Sequence, residues 1–190
     1  MNLLRLWWTG VTHPVRAFGE LPSRPAPAWG FWVVLVFNLL ISATTLPALY
    51  LLAVPPFLES WLTFLPTEDY LLAEIFFLPP LRILVWLLGA AVIHIGLRLA
   101  KHPGGMDILL NIGGLATLVV MPVSLLSDWL LIALGAYRIA EYTHPLAAVW
   151  GVVLTVLGLK QMLGVRTGMA VVLALASEVL TIPFLAIFAR

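Results

Sequence analysis

The sequence predicts an all-α polytopic integral membrane protein, a helical bundle with five transmembrane helices. Three observations predict it. Of the 190 residues 62% are apolar and only 10% are Asp, Glu, Lys or Arg, whereas a soluble domain carries about 25% charge. At about 20 apolar residues per crossing, that content fills roughly five spans and leaves only short connections. Five long apolar stretches, separated by polar or Pro-containing turns, can in fact be traced along the chain. The same arithmetic leaves no room for a sizeable extramembrane domain. A net charge of +1 excludes nucleic acid as an expected partner, since phosphate binding needs clustered surplus cations. With no Cys, disulfides, thiolate metal sites, Cys nucleophiles and lipidation on Cys are excluded as well.

Residues 1–29 read as a cytoplasmic amphipathic tail with a Pro-rich hinge. Met1 to Trp8 is apolar over too short a stretch, and runs into His13, Pro14 and Arg16 without a small-residue cleavage site, so no cleaved signal peptide is expected. Leu4, Trp8, Val11, Val15 and Phe18 recur at steps of three and four, with Arg5, Arg16 and Glu20 elsewhere on the wheel. This spacing predicts an interfacial helix broken at Pro14, with Trp7 and Trp8 at headgroup depth. Ser23 to Pro27 is the hinge into the membrane.

Residues 30–190 read as the transmembrane domain. The first span, Gly30 to Val54, has no charge and only Pro47 inside it, and Pro55 and Pro56 end it. Thr67, Glu68 and Asp69 precede Tyr70 to Leu78, a capped acidic start that predicts a short surface helix. Pro80 suits a first helical position, so the second span runs from 80 to 99. A polar turn through His102-Pro103-Gly104-Gly105 leads into the third span, 108–127, which Asp128 closes. Trp129 to Tyr142 is apolar for too short a run to cross and reads as an interfacial or re-entrant piece. The fourth span is 145–159, Lys160 to Thr167 is a turn, and the fifth is 168–189.

Charge sets the orientation, because Lys and Arg accumulate in cytoplasmic connections. Five spans place Arg5, Arg16, Arg24, Arg98, Lys101, Lys160 and Arg166 on one side, seven of the ten cations, against Arg82, Arg138 and Arg190 on the other. The N-terminus is therefore expected to be cytoplasmic. A sixth crossing at Trp129 to Tyr142 would move Lys160 and Arg166 to the other side.

Within the spans, Glu178 lies about ten residues, or roughly 15 Å, into the fifth. It shares a face with Ala170 and Ala174, and small residues mark helix contact in lipid, so the carboxyl should point into the bundle. It reads as a proton or cation relay, as a switch whose ionisation changes packing, or as a permanently protonated carboxyl held by a Ser, a Thr or the Val179 carbonyl that Pro183 leaves free. His94 in the second span reads as a packing group or a proton site. Asn38 and Asn111 can bond across helices. Arg82 either snorkels outward or pairs with Glu74. Ala147, Gly151 and Thr155 form a small-residue ladder suited to packing against the fifth span. Pro47, Pro122 and Pro183 should kink their spans.

His13, His94, His102 and His144 fall on separate segments, so no metal site is indicated. There is no HExxH, GxSxG, P-loop or dinucleotide fingerprint, so no enzyme and no cofactor are expected.

Three stretches carry a family resemblance. They are Pro14-Val15-Arg16-Ala17-Phe18; Gly113-Gly114 followed by Met121-Pro122; and Val149-Trp150-Gly151 through Leu157-Gly158-Leu159-Lys160 to Val165-Arg166-Thr167-Gly168-Met169-Ala170. In order and placement they resemble the Yip family of polytopic proteins, named for interaction with Ypt/Rab GTPases. The resemblance implies a five-helix bundle with a cytoplasmic N-terminus. In eukaryotic members it also implies membrane trafficking and Rab contact. This chain lacks the long cytoplasmic N-terminal region and the Asp-Leu-Tyr-Gly-Pro-type motif, and no Tyr accompanies Gly113-Gly114, which leaves Rab-type contact without support. The closer resemblance is to short prokaryotic members, which implies a multi-pass protein of the cell (inner) membrane. The expected function is that of a non-enzymatic scaffold or adaptor that packs helices with lipid, with other membrane proteins or with itself. The alternatives are a proton or solute transporter centred on Glu178 and an accessory subunit of a larger membrane complex.

Overall fold

The computed structural model describes residues 2–21, 27–54 and 65–188. Apart from Pro27, the expected hinge lies outside these residues, as do Pro55 and Pro56. All regular structure among them is helical. Two short helices, α1 (Leu3–Thr12) and α2 (Pro14–Gly19), precede the first long one. That helix is α3 (Pro27–Leu40), which continues through a π-helical turn, Ile41–Thr45, into α4 (Leu46–Leu51). Then come α5 (Thr67–Leu99), α6 (Met106–Ala133), a 3₁₀ turn at Tyr137–Ile139, α7 (Ala140–Leu163) and α8 (Thr167–Phe188). Five of these helical runs are long and apolar enough to cross a membrane.

The chain breaks at Pro14, which takes the first position of α2 where its missing N–H costs nothing. Helices α1 and α2 fold back on each other as a hairpin, with Arg16 Nε donating to Glu20 Oε1 at 2.8 Å and Arg5 at 4.0 Å from the same oxygen. One face of the hairpin, with Leu6, Gly10, Ala17 and Phe18, is buried against α6 and α7. Leu4, Trp8 and Val15 of the predicted apolar stripe face outward. The hairpin thus has two apolar faces, one spent on protein and one free for lipid.

The separate surface helix expected over Tyr70 to Leu78 does not form on its own, because α5 runs unbroken through Pro79 and Pro80. A proline removes one backbone donor, but Leu78 and Pro79 are buried, and Leu78 packs with Leu46, Leu49 and Leu71. That packing holds the helix through the missing bonds, as neighbouring helices do in membranes. Asp128 does not close the third span either. Helix α6 continues past it to Ala133, and Gly135, at φ +64°, turns the chain into α7. The stretch Trp129 to Tyr142 is therefore shared between the end of α6 and the start of α7 instead of forming a piece of its own. Gly164, at φ +66°, caps α7, its N–H donating to the Lys160 carbonyl at 3.0 Å.

In the bundle α3 packs on α6, α6 on α7, α7 on α8, α8 on α5 and α5 on α3, a closed ring with α5 also lying against α6. Glycines set the close crossings. A Cβ on Gly114 would stand 2.6 Å from the Gly30 Cα, so α3 and α6 touch backbone to backbone. A Cβ on Gly89 would meet Ser177 Oγ at 2.8 Å, and one on Gly96 would meet Leu173, which seats α8 on α5. Where α7 meets α6 and the hairpin, Gly158 leaves room for Ile112 and Phe18.

Candidate intramembrane polar site

Several of the buried and half-buried ionisable groups lie on α5, α6, α7 and α8. Arg82 and Glu74 lie eight residues apart on α5, about 12 Å of rise, and therefore near one face. Arg82 attracts both Glu74 and Glu178, the latter reaching across from α8. Glu74 is 2% exposed and Glu178 half-buried. Arg82 Nε is itself buried without a hydrogen-bond partner.

A second polar pair joins α6 to α7. Asp128 Oδ1 lies 2.9 Å from His144 Nε2, with Asp128 6% exposed. The Tyr137 and His144 rings form a T-shaped pair with centroids 6.5 Å apart and an interplanar angle of 76°. Tyr137 also feels the charges of Asp128 and Glu74. Glu74 therefore lies within electrostatic reach of both Arg82 and Tyr137, and Glu178, Arg82, Glu74, Tyr137, Asp128 and His144 make up a polar thread coupled by charge. Helices α5, α6, α7 and α8 each contribute to it. Among the described residues no group of three His, Asp or Glu is placed to hold a metal ion.

The family model of the Yip1 domain matches residues 8–189. The chain belongs to the Yip1 domain family. No curated protein and no solved structure matches it. The family resemblance read from the three sequence stretches is thus confirmed over nearly the whole chain, and the five long apolar helices of this Yip1 domain make it a multi-pass membrane protein.

The remaining expected site residues of the Yip1 domain do not join the polar thread. His94 lies twelve residues from Arg82 along α5, about 18 Å, and its Nδ1 is buried without a partner. Asn38 is buried but does not bond across helices: its Nδ2 donates to the Val34 carbonyl of its own helix at 2.7 Å. Asn111 is fully buried with neither amide atom bonded. Ala170 and Ala174 are buried on the face of α8 that carries Leu173 and Ser177. On α7 the Thr155 hydroxyl donates to the Gly151 carbonyl at 3.0 Å. A Cβ on Gly151 would meet nothing within 4 Å, so this rung of the ladder does not touch the fifth span.

Sequence reasoning treated Asp128 as a helix stop and weighed His144 only as a metal ligand. No sequence signal pairs them, since the contact depends on how α6 and α7 meet across the turn at Gly135.

Proposed function

We propose that this Yip1-domain protein is a non-enzymatic membrane scaffold or adaptor that acts by packing its helices against those of other membrane proteins. The observation that carries the reading is the open stretch of α7. Ala147, Gly151, Leu154 and Gly158 fall on one face by helical spacing. That face is filled at Gly158 by Ile112 and Phe18 but meets nothing at Gly151. The open position at Gly151 suits the close approach of a second helix in lipid. In this reading the N-terminal hairpin lies on the cytoplasmic side, as the seven-of-ten cation bias supports, with Leu4, Trp8 and Val15 against lipid. The test is crosslinking in native membranes from a single Cys at Ala147. Defined adducts with other membrane proteins are expected, and Gly151→Leu should abolish them while the folded protein persists. An Ala147→Cys protein that yields no adduct removes the reading.

The polar thread favours a second reading, in which protons or a small solute move along Glu178, Arg82 and Glu74. It requires that protein in liposomes carries a flux that Glu178→Gln stops. An accessory subunit would instead run on a native gel at the size of a larger complex.

A further inference from the structure

The first span carries a polar stripe that the proposed function does not use. Asn38, Ser42 and Thr45 follow one another at steps of four and three, and so share one face. They are 1%, 5% and 2% exposed. Each keeps a side-chain oxygen without a hydrogen-bond partner: Asn38 Oδ1, Ser42 Oγ and Thr45 Oγ1. In the membrane interior each unmet polar group costs several kcal/mol. Three in file along one helix disfavour a permanently dry, closed arrangement.

The backbone at the stripe is irregular. Ile41–Thr45 is π-helical, and the Leu46 N–H reaches back five residues to the Ile41 carbonyl. Pro47, next in line, brings no donor at all. The hydroxyl of Thr44 meets the Leu40 carbonyl at 2.6 Å and accepts from Trp129 Nε1 at 3.2 Å. The Ser42 and Thr45 hydroxyls find no such acceptor. Single π turns inside helices are frequent at functional sites.

Among the described residues beyond the π turn, the buried apolar cluster is Leu46, Leu49, Leu71 and Leu78, a small satellite of the nineteen-residue main core. A segment with few buried apolar contacts opens at lower cost than the core. Glu74 lies between Leu71 and Leu78 on the α5 face that packs against this segment.

We propose that the seam lined by Asn38, Ser42 and Thr45 is a water-access route to Glu74, opened by α4 swinging about the π turn. Water both donates and accepts, so it meets the needs of two hydroxyls and an amide oxygen at once. The route is independent of the scaffold reading and of any contact at Gly151.

The natural absence of Cys allows a direct test. Ser42→Cys, Thr45→Cys and the lipid-facing control Leu39→Cys are placed singly in the full chain, reconstituted in liposomes and treated with a small methanethiosulfonate, which reacts with thiols in water. Labelling at Ser42→Cys and Thr45→Cys at least ten times faster than at Leu39→Cys is expected. Equal, slow labelling at all three overturns the proposal. If the Cys variants fail to fold, amide exchange of the wild-type protein in nanodiscs decides. Residues 42–51 should exchange at least tenfold faster than 112–119 of α6, and equal protection of the two segments overturns the proposal.

Discussion

The Asp128 carboxylate and the His144 imidazole meet at 2.9 Å where α6 hands over to α7. This contact lets an acid sit inside a long apolar helix without ending it, and it ties the turn at Gly135 to the bundle.

Breaking that pair should destabilise the protein. Loss of a partner to a fully buried charge costs about 3–5 kcal/mol, and the 40% side-chain exposure of His144 lowers the figure. His144→Ala is expected to cost about 1–2 kcal/mol. The double variant Asp128→Asn/His144→Ala should be less destabilised than the sum of the single ones. Thermal unfolding of the four proteins in detergent micelles measures the coupling, and strict additivity would show that the pair contributes nothing.

Two glycines should respond in opposite ways to the same substitution. At Gly114 an added methyl would lie 2.6 Å from the Gly30 backbone, so Gly114→Ala must part α3 from α6 and should cost about 1–3 kcal/mol. At Gly151 the methyl meets open space, and Gly151→Ala should be neutral or stabilise by up to about 1 kcal/mol. Melting temperatures of the two variants check the contrast.

Arg82→Leu should be more damaging than Glu178→Gln. Removing the guanidinium leaves both Glu74 and Glu178 without the cation that faces them, whereas the Gln variant leaves Arg82 with Glu74. Losses of about 2–3 and about 1 kcal/mol are expected, and adding Glu178→Gln to Arg82→Leu should recover part of the larger loss. Unfolding by denaturing detergent gives the ranking, and a worse Gln variant would contradict it.

The N-terminal hairpin should depend on packing more than on charge. Phe18 is buried beside Gly158 and Ile112, so Phe18→Ala should cost about 3 kcal/mol of docking and expose the hairpin to protease. Glu20→Ala removes only exposed ion pairs and should cost under about 1 kcal/mol. Limited proteolysis of the two variants, followed by mass, separates these effects.

Much of the architecture was legible in the sequence because lipid imposes long apolar runs, and five such runs reappear as five long helices. The break at Pro14 was readable for the same local reason. What depended on tertiary packing was not. Pro79 and Pro80 look like a boundary until Leu78 is seen against Leu46 and Leu49, and Asp128 looks like a stop until His144 is opposite it. Glu178 was recognisable as a buried acid, yet its counter-charge belongs to a helix far away in sequence, and helical spacing alone does not say which spans become neighbours. Asn38 satisfied its donor within its own helix, a choice that side-chain chemistry leaves open.

The unbroken α5 also bears on where the protein can reside. Its 33 residues extend about 50 Å, against a hydrocarbon core of about 30 Å. Tilt alone would need an angle above 50°, beyond the roughly 0–40° that membrane helices adopt. The surplus turns therefore stand in the headgroup layer or thicken the bilayer around them. Where those turns thicken the bilayer the mismatch favours thicker membranes, and lipid chain length becomes a variable to which this protein should be sensitive.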